Sequence, residues 1–171
     1  MSAQANPTLA LRPTLPADVP LLAEIFRESV LDLTGDDYSP EQQEAWAAQA
    51  DDLKEFSERL AKQLTLVATL EGSPVGFASL KGKDEIDMLF VHPAASRYGA
   101  ATMLVEALEK LATARGTDAL KVDASDTARD FFEKRGYVAQ QRNSVSLGNV
   151  WFANTTMKKA LDQKGGAHGE A

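Results

Sequence analysis

The sequence predicts one α/β domain in which a mixed β-sheet carries helices on both of its faces. The chain has 171 residues, which suits one domain. Segments with strand-like alternation are interspersed with segments of helical periodicity. No linker, internal repeat or low-complexity block divides the chain, so we expect the domain to span residues 1–160. Residues 161–171 are expected to form a disordered tail, and residues 1–6 a frayed end.

The first half of the chain is predicted to contain a strand followed by helices. Alternation in TLALRPT indicates a strand at about residues 8–13. The next segment, PADVPLLAEIFRESVLDL, places an apolar stripe on one face of a helix. A second helix begins after Ser39, a good N-cap, because Pro40 suits the first helical position and Gln42 completes a capping box. A further helix is predicted within DDLKEFSERLAKQ.

The second half alternates short strands with two helices. LTLVATL, VGFASLKG and KDEIDMLFV are typical of three strands. Residues 100–114 have the strongest helical periodicity, and Gly116 suits the end of that helix. ALKVDA is strand-like, and SDTARDFFEKRG indicates a short helix with Ser125 or Asp126 as N-cap and Gly136 at its end. A terminal hairpin is predicted last. The predicted order of elements is therefore strand, two or three helices, three strands, helix, strand, helix and two strands.

Composition and charge exclude several kinds of chemistry and partner. The chain has no cysteine, which rules out thiolate catalysis, and its two histidines are too few for a typical zinc site, so no metal is expected. The net charge of −7 argues against nucleic acid as a partner, but not against a small anionic ligand. No apolar run approaches the ~18 residues that cross a membrane, and no signal peptide is visible. We therefore expect a cytoplasmic protein with no membrane partner.

The stretch FVHPAASRYGAATMLVEALEKL passes from a strand to a helix through a run of small residues. A helix N-terminus presents unpaired N–H groups and about half a positive charge. Small residues at 99–102 would let that backbone approach a phosphate group closely. The alternative interpretation is a glycine turn that packs tightly on the sheet.

These features together resemble the GNAT superfamily of acyl-CoA-dependent N-acyltransferases. The resemblance rests on the order of elements, the VHP that ends the fourth strand, the turn at Gly99 and Ala101, and FFEKRGY after the fifth strand. It covers roughly residues 8–158 and implies a mostly antiparallel sheet. YSPEQQEAW and NTTMKK are similar to a bacterial subgroup of small members. The resemblance implies transfer of an acetyl group from acetyl-CoA to a primary amine of a small molecule or peptide.

The resemblance also implies where coenzyme A binds. The family turn, Gln or Arg followed by two residues, Gly, one residue and Gly or Ala, falls on SRYGAA, where Ser96 departs from the pattern. The backbone at the end of the fourth strand would pair with the pantetheine arm. The cofactor-binding residues predicted in this way are Leu89, Phe90, Val91, Ser96, Arg97, Tyr98, Gly99, Ala100, Ala101, Thr102, Asp123, Ser125, Phe131 and Phe132.

Glu85 and Asp87 are the predicted catalytic residues. An alkyl amine with a pKa near ~10 arrives protonated at neutral pH, so a base must take its proton. Strand alternation places both carboxylates on one face, where we expect each to raise the pKa of the other. Glu85 matches the position of the base in some family members, whereas Asp87 lies nearer the expected bond cleavage. The alternative is a pair of solvated charges. His92 is interpreted as a turn residue rather than a base.

Phe132 occupies the position at which many family members carry a tyrosine that protonates the coenzyme A thiolate. Tyr98 and Tyr137 are possible substitutes, and a thiol of pKa ~8.5 is also a tolerable leaving group without an acid. The departures at Phe132 and Ser96 keep open an alternative function: a non-catalytic acyl-CoA sensor or a protein-interaction module on the same fold.

The acceptor is expected to bind between the first helices and the terminal hairpin. The candidate substrate-binding residues are Tyr38, Trp46, Trp151 and Asn154; ordinary packing is the alternative for each. Because many members of the family pair through sheets or helices, a homodimer is a further possibility.

Overall fold

A seven-stranded sheet organises the computed structural model, which describes residues 8–162. The expected frayed end at residues 1–6, and residues 163–171 of the expected tail, lie outside the described residues. The strands are β1 (Leu9–Pro13), β2 (Leu64–Leu70), β3 (Ser73–Lys81), β4 (Glu85–Val91), β5 (Ala119–Ser125), β6 (Val138–Leu147) and β7 (Val150–Ala160). Their spatial order is β1-β2-β3-β4-β5-β7-β6. All neighbours are antiparallel except β4 and β5, which confirms the predicted mixed, mostly antiparallel sheet.

Five α-helices lie on the sheet. They are α1 (Val19–Leu33), α2 (Pro40–Ala47), α3 (Leu53–Ala61), α4 (Ala100–Ala114) and α5 (Arg129–Lys134). The predicted capping box begins α2: Ser39 Oγ accepts from the Gln42 amide at 3.2 Å, and Gln42 Oε1 accepts from the Ser39 amide at 2.8 Å. No helix within residues 8–162 is long and apolar enough to cross a membrane.

The start of α5 differs from the prediction. Neither Ser125 nor Asp126 is its N-cap; the helix begins at Arg129, and Ala128 takes the cap position without a side-chain hydrogen bond. The Ser125 hydroxyl still accepts from the Ala128 amide, at 3.1 Å. A turn therefore separates β5 from α5, and Ser125 stabilises that turn rather than the helix itself.

The two faces of the sheet have separate cores. On the first face, α1–α3 cover Val67 of β2, Phe77 of β3 and Met88 of β4. On the second face, α4 and α5 cover residues of β2 to β5 and Met157 of β7. The first-face core takes its strand residues from β2, β3 and β4; beyond these strands, α2 reaches the start of β7, where Trp46 packs against Phe152. The half of the sheet formed by β5, β7 and β6 therefore carries little of that core. That half of the sheet forms one side of a cleft.

Candidate active site

A V-shaped gap opens in the middle of the sheet between its two parallel strands. Within residues 8–162, β4 and β5 pair at two positions, Glu85 with Lys121 and Ile86 with Val122, and then diverge. The gap is part of a cleft of about 550 Å³. The cleft reaches from the start of α4 to the edge of α1 and to the hairpin of β6 and β7. The structure therefore contains a divergence of the kind that the resemblance implied.

The backbone at the end of β4 presents hydrogen-bonding groups to this gap. The His92 amide donates to the Val75 carbonyl at 2.8 Å, which fixes the side of β4 that bonds to β3. Backbone groups alternate in direction along a strand, so Phe90 also bonds towards β3. The amide and carbonyl groups of Leu89 and Val91 consequently point into the gap. Phe90 differs from the two others because it contributes its ring, not its backbone, to the cleft.

The predicted phosphate turn leads directly into α4. Gly99 is the N-cap of α4 and has a φ of +81°, a left-handed conformation that favours glycine. No heavy atom lies within 4 Å of the position that a methyl group on Gly99 would occupy. Ser96 and Ala101 line the cleft, whereas Arg97 and Tyr98 are outside its lining and Tyr98 is exposed. Ala100 is buried at the first position of the helix, and Thr102 follows in its first turn.

Asp87 is the extra residue of a β-bulge, and its side chain points towards α3. Ser79 pairs with Met88 and Leu80 pairs with Ile86, so Asp87 is an additional residue on β4. Its Oδ2 accepts from Arg59 Nε and from Gln63 Nε2, both at 2.9 Å. Burial alone would raise the pKa of the Asp87 carboxyl, but the hydrogen bonds from the two α3-side groups outweigh it and lower that pKa. The expectation of a raised pKa is therefore wrong for Asp87.

Glu85 is separated from the cleft. It lies on the first face of the sheet, as does Asp87, but outside the cleft lining. Its Oε1 lies 3.8 Å from Lys121 Nζ on β5. The structure thus places the two predicted catalytic carboxylates on one face and brings one of them, Asp87, to the cleft.

Asp123 and Ser125 line the cleft from the diverging end of β5. Asp123 Oδ1 accepts from the Thr156 hydroxyl of β7 at 2.6 Å. Asn154, which pairs with Ser125 across β5 and β7, also lines the cleft, and its side-chain oxygen accepts from Asn143 Nδ2 at 2.9 Å. This wall of the cleft is polar.

The opposite end of the cleft has an aromatic wall. Trp46 packs edge-on against Tyr38, Phe90 and Phe152, with ring centroids 5.4 to 6.3 Å apart. Tyr38 is buried; its hydroxyl donates to the Ala153 carbonyl at 2.7 Å and accepts from the Asp126 amide at 2.9 Å. Burial raises the pKa of Tyr38, so its phenol stays protonated at neutral pH. Tyr38 and Trp46, which were predicted to form a substrate wall, both line the cleft.

Trp151 does not join this wall. The residue is 61% exposed and outside the cleft lining, although its backbone carbonyl accepts from Gln42 Nε2 at 2.7 Å. The hairpin instead contributes Val145 and Leu147 to the cleft. Of the four predicted substrate residues, the structure brings together three, Tyr38, Trp46 and Asn154.

Phe131 and Phe132 border the gap where the family tyrosine would stand. Both line the cleft, and Phe132 is fully buried. Neither proposed substitute phenol faces the cleft. Tyr137 is buried on the second face, where its hydroxyl donates to Glu109 Oε2 at 2.8 Å and burial raises its pKa. His92 is a turn residue, since its Nδ1 accepts from the Ala94 amide at 3.1 Å.

Comparisons with known proteins agree with this geometry. A family model described as an acetyltransferase (GNAT) domain matches residues 34–161. The chain belongs to the GNAT acetyltransferase family. The uncharacterized N-acetyltransferase YafP of Escherichia coli K12 is 37% identical over 150 residues, which cover 88% of this chain and 95% of that protein. These matches confirm the predicted family and enzyme class, an N-acetyltransferase.

Solved GNAT structures share the fold. A GCN5-related N-acetyltransferase from Rhodopseudomonas palustris is 59% identical, with a TM-score of 0.88 over 94% of this chain and 99% of that chain. The PaiA N-acetyltransferase from Thermoplasma acidophilum, solved in complex with coenzyme A, is 19% identical, with a TM-score of 0.75 over 90% of this chain and 99% of that chain. The predicted fold class is therefore confirmed.

Three polar residues of this GNAT site were missed by the sequence analysis. Arg59 and Gln63 hold Asp87 from the α3 side, and Thr156 holds Asp123 from β7. Their partners are 24 to 33 positions away, so no local periodicity connects them. Thr156 could have been found by pairing the predicted fifth strand with the last strand, which sets it opposite Asp123.

Proposed function

We propose that this GNAT protein transfers an acetyl group from acetyl-CoA to a primary amine that has an apolar body. The observation that carries the proposal is the gap between β4 and β5, towards which the backbone groups of Leu89 and Val91 point. An extended amide-containing arm can bond to these groups in the way that an added strand does. Such an arm supplies the acetyl thioester when acetyl-CoA is bound.

The residues at the start of α4 fit the phosphate end of coenzyme A. Gly99 leaves open space beside the first amides of a helix of 15 residues, and those amides have no partners within the helix. Ser96 can donate its hydroxyl from the same turn. Phe131 and Phe132 offer an apolar surface to the arm between the turn and the apex of the gap. No metal is needed for any of these contacts.

The chain provides an ionised carboxylate, that of Asp87, beside the apex of the gap. The lowered pKa of Asp87 keeps it negative at neutral pH, so it attracts a cationic amine. Phe132 has no proton to give, and Tyr98 and Tyr137 are outside the cleft lining. Tyr38 lines the cleft, but its hydroxyl donates to the Ala153 carbonyl. The coenzyme A thiolate therefore leaves without a phenol donor, which its ordinary pKa of ~8.5 allows.

The aromatic wall supports an acceptor with an apolar body. Trp46, Phe90 and Phe152 meet at the acceptor end, and Val145 and Leu147 face them from the hairpin. Burial of an aromatic group contributes ~1.5–3 kcal/mol relative to leaving it exposed. An acceptor whose body is charged or strongly polar would lose that contribution and its own hydration.

Acetyl-CoA consumption with 2-phenylethylamine and ethanolamine tests this proposal. These amines share a primary amino group and differ in the body, and we expect kcat/KM to be at least ~10-fold higher for 2-phenylethylamine. Trp46→Ala should reduce that preference, whereas Trp151→Ala should leave it unchanged because Trp151 is outside the cleft lining. Absence of turnover with both amines, despite acetyl-CoA binding, would favour the non-catalytic sensor instead.

A further inference from the structure

Two aspartates stand where the sheet opens. Ile86 and Val122 form the last pair between β4 and β5, so Asp87 and Asp123 are the first residues of the two diverging strands. Both line the cleft. Both side chains lie on the first face. Asp87 bonds to Arg59 of α3, which packs on that face. Asp123 follows Val122, which packs in the core of the second face, so Asp123 points to the first. The apex of the gap therefore has a carboxylate on each side.

The two carboxylates have different surroundings. Asp87 forms an ion pair with Arg59, and its side chain is 17% exposed. A proton on Asp87 would leave the Arg59 charge without its counter-ion, which makes Asp87 a poor proton acceptor. Asp123 is exposed to the cleft, and its Oδ1 accepts from a neutral hydroxyl. Among residues 8–162, no hydrogen bond is made to Asp123 Oδ2, which leaves that oxygen available to an amine.

A short chain of hydrogen bonds orients Asp123. Asn143 Nδ2 on β6 donates to Thr156 Oγ1 at 2.8 Å, so the hydroxyl of Thr156 directs its own hydrogen to Asp123 Oδ1. Asn143 is in turn held by Asn154 Oδ1. Thr156 is thus a positioning residue, because it fixes the carboxylate of Asp123 but does not itself line the cleft.

We propose that Asp123 is the catalytic residue that receives the proton of the acceptor ammonium group. The inference rests on the proposed function. An arm that enters at the start of α4 and follows Val91 and Leu89 ends at the apex, between Asp87 and Asp123. Asp87 then serves as a fixed negative charge, and Asp123 as the base. This differs from the role in cofactor binding that the family resemblance implies for Asp123.

One proton passes from the ammonium nitrogen to Asp123, which becomes a neutral carboxylic acid. The freed lone pair forms a bond to the acetyl carbon, and the bond between that carbon and sulfur breaks with its electron pair on sulfur. The nitrogen loses a second proton, which the thiolate takes up to give the thiol. Asp123 returns its proton to solvent through the open cleft.

Other charged groups around Asp123 are engaged or lie further along the strands. Arg59 of α3 is paired with Asp87, and Lys121, two residues before Asp123, is paired with Glu85. On β7, the exposed Lys158 lies two residues beyond Thr156 on the same face. The described residues of β6 opposite this site contribute the uncharged Gln141 and Asn143.

Two acceptors of nearly the same shape test the role of Asp123. 2-Phenylethylamine is protonated at neutral pH, whereas O-benzylhydroxylamine is uncharged and needs no base before attack. Asp123→Asn should lower kcat/KM for 2-phenylethylamine by ~100-fold, in the range that one general base contributes, and leave the value for O-benzylhydroxylamine within a few-fold. Raising the pH towards ~10, the range of alkyl amine pKa values, should restore activity with 2-phenylethylamine.

Matched variants distinguish this role from others. Asp87→Asn should raise KM for 2-phenylethylamine and leave KM for O-benzylhydroxylamine nearly unchanged, because it removes a charge that attracts only the cationic acceptor. Asp123→Asn should instead lower kcat for 2-phenylethylamine. Asp32→Asn on the exposed side of α1 should change neither acceptor. Acetyl-CoA binding by calorimetry should be unchanged in Asp123→Asn; a weaker affinity would assign Asp123 to the cofactor instead. If Asp123→Asn does not fold, Thr156→Val retains the carboxylate and should show the same selective loss at smaller size.

The outcomes separate this inference from the proposed function. If wild-type protein acetylates neither probe, the proposed function fails and this inference fails with it. If wild-type protein acetylates both probes and Asp123→Asn slows them equally or not at all, Asp123 is not the base, while the proposed function stands.

Discussion

Gly99 is the residue on which the start of α4 depends. Its φ of +81° lets the chain turn out of the segment that follows β4 and begin the helix. A residue with a Cβ loses roughly 1–2 kcal/mol in this conformation. The space beside Gly99 is open, so it would admit a phosphate group of the kind proposed for this turn.

Gly99→Ala should therefore have two effects, whereas Gly116→Ala should have one. Gly116 has a similar φ of +85° and equally open space, but it ends α4 rather than beginning it. Each variant should lose ~1 kcal/mol of stability in urea unfolding. Only Gly99→Ala should also weaken acetyl-CoA binding by calorimetry, by ~5-fold or more for one lost or lengthened charge-assisted hydrogen bond. Equal affinities for acetyl-CoA in the two variants would contradict a phosphate site at this turn.

The electrostatics of individual site residues could not be predicted from the sequence. Glu85 and Asp87 were placed correctly on one face by strand alternation, yet the pKa of Asp87 is lowered rather than raised. The decisive partner is Arg59, 28 positions earlier on a different element. Local sequence shows which residue types share a face, whereas a pKa depends on the charges that tertiary packing brings near.

At the scale of elements, the sequence was most informative where local chemistry decides the structure. The helix at Ala100–Ala114 and the capping box before α2 follow from periodicity and from the bonding of Ser39 and Gln42. The bulge at Asp87 could not be predicted, because it arises from the register between β3 and β4. The turn before α5 was missed because Ser125 bonds to a turn amide instead of a helical one.

Tyr38 connects three elements that border the cleft, and we predict a large effect for Tyr38→Phe. Its hydroxyl joins the connection between α1 and α2 to the Ala153 carbonyl of β7 and to the Asp126 amide after β5. The variant leaves these two backbone groups without that partner, so urea unfolding should show a loss of ~1–3 kcal/mol. Tyr98→Phe is the matched control, because Tyr98 is 48% exposed and should change stability by less than ~0.5 kcal/mol. Similar losses in the two variants would show that Tyr38 does not hold these elements together.

At the scale of the whole molecule, the site forms because the helices on the first face of the sheet cover some strands much more than others. Helices α1–α3 build their core on β2, β3 and β4, and α4 and α5 build theirs on the second face. The single parallel pair, β4 and β5, opens at the boundary of the first-face cover. Apolar patterning predicted both layers, but the separation of the strands is a property of the assembled sheet and was expected only from the family resemblance.

Three aspartates with arginine partners should contribute to the response of the whole molecule to acid. Hydrogen bonds from Arg12 lower the pKa of Asp18, and those from Arg142 lower the pKa of Asp126. At Asp87, the bonds from Arg59 and Gln63 outweigh the raising effect of burial. The folded state therefore takes up these protons at lower pH than the unfolded chain does. The stability contributed by the pairs is fully present above the ordinary carboxyl pKa of 3.8 and is lost as the pH falls below it.

Urea unfolding between pH 6 and pH 3 measures this loss. The free energy of unfolding of the wild-type protein should fall with decreasing pH, most steeply below the ordinary aspartate pKa of ~3.9. The variants Asp18→Asn, Asp87→Asn and Asp126→Asn should each flatten the slope, because an asparagine takes up no proton in this range. Arg12→Gln is the matched control, since it retains the Asp18 carboxylate and removes the main cause of its low pKa; it should flatten the slope as Asp18→Asn does. A slope that is unchanged in all of these variants would mean that other carboxylates govern the acid stability of the protein.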